Sequence, residues 1–160
     1  MGYTTFVEQR QAPLLRFAMV LCGDSALAED LVQEALARCY AQWERLSAVD
    51  NLNGYVRRMI VNDFITWRRR FGRLHLVESL VEPAVADTSD AYADRDALVA
   101  ELAKLPPKQR AVLVLRYYEG LTDAEIAEAL GCRGGTVRAY ATRALAALRI
   151  ELNLSTEAVR

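Results

Sequence analysis

The residues of this chain best suited to recognition chemistry lie between Thr122 and Leu148, in TDAEIAEALGCRGGTVRAYATRALAAL. Thr122 and Glu125 have the spacing of a capping box, in which a hydroxyl accepts from the backbone three residues on while a carboxylate reaches back. Ile126, Ala127 and Leu130 then give one apolar side, and Gly131 supplies the left-handed residue that ends a helix and turns the chain. A second helix is predicted to start near Gly135, with Val137, Ala141, Ala144 and Leu148 on one side. Thr136, Ala139, Thr142 and Arg143 face away, flanked by Arg138 and Tyr140. No acid occurs between Glu128 and Glu151, whereas Arg133, Arg138, Arg143 and Arg149 all lie in that interval, so the outer face meets a polyanion. The layout is that of a helix-turn-helix that reads DNA. A charged helix face is ordinarily only a solvated one. Here the cap, the glycine turn, small residues for close helix crossing and an acid-free face coincide in one segment.

Other chemistries find no support. His75 stands beside Leu74 and Leu76 with no cysteine or carboxylate pair near it, and Cys22, Cys39 and Cys132 are too widely spaced for a zinc site or a disulfide framework. The expectation is three buried thiols. There is no phosphate-binding glycine loop and no nucleophile with an assignable base, so the chain reads as a non-enzyme with no cofactor and no metal.

At 160 residues and 52% hydrophobic content the chain is of globular class, long enough for one ordinary domain or two small helical ones. No apolar run approaches the roughly 20 residues that span a bilayer, and MGYTTFVEQRQ lacks the basic and apolar regions of a secretion signal. A cytoplasmic protein without membrane insertion is expected. The net charge of −1 is low for an autonomous DNA binder, whose affinity comes largely from neutralising phosphates. That charge is segregated. Arg57, Arg58, Arg68, Arg69, Arg70 and Arg73 crowd one stretch with only Asp63 among them; Glu78, Glu82, Asp87, Asp90, Asp94, Asp96 and Glu101 follow, opposed by Arg95 alone.

Helical periodicity runs through the chain without a convincing strand pattern, so the predicted fold is all-α. A first helix is expected over about 5–21, ended by Gly23 and kinked at Pro13. Asp24 or Ser25 caps a second, through about Arg45, whose polar side carries Glu29, Asp30, Gln33, Glu34, Arg38 and Gln42. A loop, Ser47–Asn53, leads to a third helix through about Phe71, with Val56, Met59, Ile60, Phe64, Trp67 and Phe71 as packing residues. The pattern decays from Gly72 to Ala97 into a small, polar, acidic run of linker type. Helices resume over Asp96–Leu105 and Lys108–Glu119, separated by Pro106-Pro107 and closed by Gly120. The organisation expected is two small helical domains, 1–73 and 98–160, joined by a flexible acidic linker over 74–97, with the helix-turn-helix in the second.

Four stretches in this order, Gly23–Trp43, Tyr55–Arg70, Leu105–Gly131 and Gly135–Arg149, resemble the sigma-70 family, and specifically its extracytoplasmic-function class of small two-domain sigma factors. The resemblance covers nearly the whole chain. It implies that Asp30, Gln33 and Glu34 contact the β′ subunit of core RNA polymerase, acidic and amide groups on a rigid helix giving orientation and on-rate against a basic partner. It implies that the loop Ser47–Asn53 and the third helix open and read the minus-ten promoter element, with Arg57, Arg58, Asn62, Arg68 and Arg69 tracking the exposed strand. Trp67 is assigned to packing; Tyr55 is left between packing and base stacking. The helix-turn-helix would read the minus-thirty-five element through Arg133, Thr136, Arg138, Tyr140 and Arg143. The chain departs from the family pattern at Arg133, where a serine often caps the recognition helix, at the doubled Gly134-Gly135, and at Ala139-Tyr140, where a Ser-Arg pair is frequent. The implied partners are core polymerase, through β′ and β, promoter DNA, and an anti-sigma factor that clamps both domains. The acidic stretch would either permit that clamp or thread toward the RNA exit path. An autonomous helix-turn-helix regulator is the alternative; the arginine-rich, aromatic Tyr55–Arg73 helix argues against it.

Overall fold

The computed structural model describes the backbone of residues 1–78 and 90–158 and the side chains of residues 1–72 and 97–149. The helices are α1 (Tyr3–Cys22), α2 (Ser25–Ala41), α3 (Trp43–Leu46), α4 (Leu52–Glu78), α5 (Asp90–Ala103), α6 (Pro107–Leu113), α7 (Asp123–Leu130) and α8 (Gly134–Ala158), with a π-helical stretch over Val114–Tyr118 continuing α6. No strand occurs among the described residues, and the all-α expectation holds. The chain forms two compact units, Met1–Arg70 and Phe71–Arg160. Of the stretch read as linker, residues 74–78 and 90–97 are helical, as the ends of α4 and α5; the centre, 79–89, lies outside the described residues.

In the first unit, α1 runs through Pro13 and stops at Gly23, whose φ of 67° is the left-handed conformation only glycine takes without strain; its N–H bonds the Met19 carbonyl at 2.8 Å. One residue on, the Asp24 carboxylate accepts from the Leu27 N–H at 3.2 Å and starts α2. This helix ends at Ala41, not Arg45, because Gln42 leaves helical geometry (φ −120°, ψ 24°). The break turns Trp43 onto α1, where its ring centroid lies 5.6 Å from that of Tyr3 and 5.5 Å from that of Phe6. Phe6, Leu14, Phe17 and Leu21 of α1, Leu31, Val32, Ala35 and Cys39 of α2, and Val56, Ile60, Val61 and Phe64 of α4 are buried and make up the core. Burial of each large side chain stabilises by about 1.5–3 kcal/mol. Met59 and Trp67 are half-buried, and Phe71, expected to pack, is 47% exposed. It is the first residue of the second unit.

In the second unit Pro107 opens α6 at a position where its missing N–H costs nothing. The helix expected to continue to Glu119 widens instead, with the Glu119 N–H reaching back five residues to the Val114 carbonyl at 3.1 Å. Gly120, at φ 70°, then closes it. Leu102 and Leu105 of α5 and its exit pack with Leu113 of α6 and with Ala144 and Leu148 of α8. Arg110 of α6 is buried to 2% exposure, an inward guanidinium with no sequence signal to mark it. Of the three thiols Cys22 and Cys39 are buried, as expected, but Cys132 is half-exposed, because it occupies the turn rather than a helix.

Candidate nucleic-acid interface

The helix-turn-helix is built by two local devices and one apolar seam. At its entry the Thr122 hydroxyl accepts from the Glu125 N–H at 3.2 Å while the Glu125 carboxylate accepts from the Thr122 N–H at 3.1 Å, the complete capping box. The Arg116 guanidinium, from the π-helical stretch, bonds the Asp123 carboxylate at the first residue of α7, and this bond raises the Arg116 pKa above its ordinary value. At the exit Gly131 takes φ 68°, its N–H bonding the Glu128 carbonyl at 3.4 Å, and the Cys132 N–H bonds the Ala127 carbonyl at 3.0 Å. This is a Schellman closure, which turns the chain sharply into α8.

Val137, Ala141, Ala144 and Leu148 of α8 are buried, and α7 contributes Ile126 and Ala127 to the contact. The opposite side is left to solvent. Arg133, Arg138, Ala139, Thr142 and Arg143 are exposed, and Thr136 and Tyr140 half-exposed. All five residues expected to read DNA thus lie on or beside the open face of the helix, although Arg133 is its backbone cap: its carbonyl accepts from the Thr136 N–H at 3.0 Å. The Thr142 hydroxyl donates to the Arg138 carbonyl at 2.9 Å and is turned back onto the helix. The double glycine has a local consequence. A Cβ placed on Gly134 would lie 3.5 Å from one guanidinium nitrogen of Arg138, and one on Gly135 3.7 Å from the other, so Arg138 folds back along the first turn of α8.

On α4 the five expected residues divide. Arg58, Asn62 and Arg69 recur at intervals of four and seven on one exposed side. Arg57 is half-buried, its guanidinium carbon 5.7 Å from the centroid of the buried Phe17 ring, and Arg68 is half-buried on the same flank. Asn51 caps this helix: its side-chain oxygen accepts from the Gly54 N–H at 3.0 Å. A Cβ on Gly54 would come within 2.5 Å of the Asn51 amide nitrogen, so a side chain there would oblige the Asn51 amide to shift. The sequence did not mark this pair. Tyr55 is half-buried.

On α2, Asp30, Gln33 and Glu34 are all exposed, on the side away from Leu31, Val32 and Ala35. Missed in the sequence was the role of Arg38, which ion-pairs with Asp63 of α4. The signal was present in Asp63, the lone acid amid the arginines. Also missed was the aromatic edge where Tyr40, 68% exposed, stands edge-on to Tyr3 with centroids 5.0 Å apart, while the Tyr3 hydroxyl donates to the Leu36 carbonyl at 3.0 Å. Burial raises the Tyr3 pKa, and neighbouring Cys39 and Tyr40 raise it further. Among the described residues no group of His, Cys, Asp and Glu could hold a metal, and no helix is long and apolar enough to cross a membrane.

Known proteins share this arrangement. Residues 6–74 match the family model for sigma-70 region 2, and residues 95–148 that for sigma-70 region 4. The chain is 41% identical over 152 residues to the RNA polymerase sigma-E factor of Streptomyces coelicolor, covering 94% of this chain and 85% of that protein. It is 33% identical over 156 residues to the ECF RNA polymerase sigma factor SigL of Mycobacterium tuberculosis, covering 91% and 85%. The sigma factor RpoE of Bartonella quintana, solved in complex with the anti-sigma factor NepR, shares the fold with a TM-score of 0.69 at 24% identity, over 94% of this chain and 96% of that one. A region 2 match over the N-terminal helices sets aside the autonomous regulator, whose first domain would be a sensor or dimerisation module. The chain belongs to the sigma-70 family of RNA polymerase sigma factors, in its extracytoplasmic-function class, and serves promoter-specific initiation of transcription.

Proposed function

We propose a division of labour among three faces. Residues 1–73 act as the domain that docks on polymerase and opens DNA, 98–160 as the domain that grips the intact upstream element, and 74–97 as the acidic connection. Asp30, Gln33 and Glu34 on α2 meet the β′ subunit of core polymerase. Arg58, Asn62 and Arg69 on the open side of α4 track the strand exposed at the minus-ten element, with Arg68 at the margin, while Arg57 chiefly holds α4 against α1. On α8, Arg133, Thr136, Arg138, Tyr140 and Arg143 contact the bases and phosphates of the minus-thirty-five element.

The observation that carries this reading is the outer face of α8, acid-free and exposed, backed by a buried seam of Val137, Ala141, Ala144 and Leu148. Because the chain is near neutral overall, with a net charge of −1, core polymerase contributes most of the affinity and this chain the selection. The protein works in the cytoplasm without catalytic turnover of its own, the chemistry of RNA synthesis belonging to the polymerase. An anti-sigma factor is a further partner, by analogy with a relative of the same fold solved in complex with NepR. Transcription in vitro with core enzyme over a promoter library tests the reading. Initiation at sites sharing minus-ten and minus-thirty-five sequences is expected; initiation unaffected by randomising the upstream element would overturn the role given to α8.

A further inference from the structure

Arg38 stands one helical turn after Glu34 on α2, and Glu followed by Arg at this spacing is the favourable orientation for an ion pair along a helix. The pair does not form. Arg38 instead reaches across to Asp63 on α4, with its Nε buried and without a hydrogen-bond partner, while Glu34 is exposed and has no ion-pair partner among the described residues. Asp63 in turn is the one acid in the stretch from Arg57 to Arg73, next to Asn62.

We propose that Asp63 is a positioning residue for polymerase docking: by holding Arg38 against α4 it keeps the Glu34 carboxylate uncompensated and free for a cationic partner surface. The inference rests on the reading that Glu34 belongs to the docking face. When Asp63 loses its charge, Arg38 swings one turn back to Glu34 and neutralises it where polymerase must bind. Asp63 touches no part of the polymerase in this scheme; it acts through Arg38. The same arrangement makes the DNA-opening helix a determinant of the docking helix, because the acid that frees Glu34 sits on α4.

The test is the affinity of the full chain for core polymerase, at low and at high salt, for Glu34→Gln, Asp63→Asn, Asp63→Glu, Arg38→Gln, and Asp63→Asn combined with Arg38→Gln. The competing pair is a partly exposed one, so Asp63→Asn is expected to weaken core binding by about two- to five-fold at low salt, less at high salt. Arg38→Gln, which breaks the same ion pair, is expected to leave core affinity intact, and the double variant to recover what Asp63→Asn loses. Asp63→Glu, which keeps the charge, is expected to bind as the parent does. A purely structural ion pair makes the opposite prediction: Arg38→Gln and the double variant are then as weak as Asp63→Asn, and that result overturns the proposal. So does undiminished binding by Asp63→Asn when Glu34→Gln binds weakly. Unchanged binding by Glu34→Gln brings down the docking reading itself, and the proposal with it. Helix content by circular dichroism confirms that each variant is folded, and the double variant remains decisive if Asp63→Asn alone does not fold.

Discussion

The guanidinium carbon of Arg57 lies 5.7 Å from the centroid of the Phe17 ring, so that a residue of the arginine-rich helix α4 also bridges to α1. Phe17 is fully buried and Arg57 half-buried, which places the cation in a partly desolvated setting. Such a contact contributes about 0.5–2 kcal/mol. Arg57→Ala is expected to lower the stability of the first unit by about that amount, and Arg57→Lys by less, since lysine keeps the charge but loses the flat stacking group. Arg58→Ala, at the exposed side of the same helix, is expected to leave stability within about 0.5 kcal/mol of the parent and to reduce promoter opening instead. Urea denaturation and permanganate footprinting of the opened strand separate the two effects. Equal losses of stability for both variants would remove the distinction between them.

At the start of α4 two terms of similar size oppose each other. Asn51→Ala removes the cap on the Gly54 N–H and is expected to cost about 0.5–2 kcal/mol. Gly54→Ala improves helix propensity by about 1 kcal/mol, but its Cβ obliges the Asn51 side chain to shift and so weakens the cap. The expected net change is within about 0.5 kcal/mol of zero, the loss and gain nearly cancelling. With Asn51→Ala already in place nothing remains to displace, so Gly54→Ala in that background is expected to stabilise. A thermal denaturation double-mutant cycle reads this coupling directly.

Which features were legible in the chain follows from how far apart their causes lie. The Thr122–Glu125 box, the Asp24 cap and the glycine stops at 23, 120 and 131 are each decided within a few residues, and all appear where the sequence places them. The outward set on α8 was equally readable, since helical periodicity alone fixes which residues oppose Val137 and Ala141. The end of α2 was not. Gln42 is a good helix former, and the break there serves ring contacts between Trp43 and residues 37 or more positions earlier in the chain. The π-helical widening at Val114–Tyr118 has no local signature in an apolar run. The division of the α4 arginines likewise depends on Phe17, and the engagement of the acid among them on Arg38, 25 residues before Asp63. Periodicity supplied the face; only the packed neighbours decide which of its cations are already engaged.

Thiol chemistry gives a separate check on the two units. Cys39 is fully buried, and burial raises its pKa, slightly offset by nearby Arg38; Cys132 is half-exposed in the turn. A disulfide-exchange reagent under native conditions is expected to modify Cys132 first and Cys39 only on unfolding, because the thiolate is the reacting species. The same shift carries a pH dependence. A folded pKa raised above the ordinary thiol value of 9.0 means that the stability it represents is present below that pH and is lost as pH rises through the folded value. The stability difference between the parent chain and Cys39→Ala is therefore expected to shrink on going from neutral pH to above about 9, the region of the ordinary thiol pKa. A difference independent of pH would contradict it.

The last prediction concerns the two ends of α7, which fix the turn into α8. Thr122→Ala removes one arm of the capping box and is expected to cost about 1 kcal/mol. Gly131→Ala leaves open space around the new methyl group but forces a side chain into the left-handed region at φ 68°, at a cost of about 1–2 kcal/mol. The helix between them has eight residues, about 12 Å of rise, so the sites share no partner and their effects should add. The double variant is expected to lose about 2–3 kcal/mol in the second unit, visible as an earlier urea transition. Promoters that depend strongly on the minus-thirty-five element should then lose activity at lower temperature than promoters with a weak one, because the fraction of chains holding α8 in register falls first where that helix supplies the grip. A double variant no less stable than either single one would mean that α8 is oriented by its apolar seam with α6 alone, and that the turn merely follows.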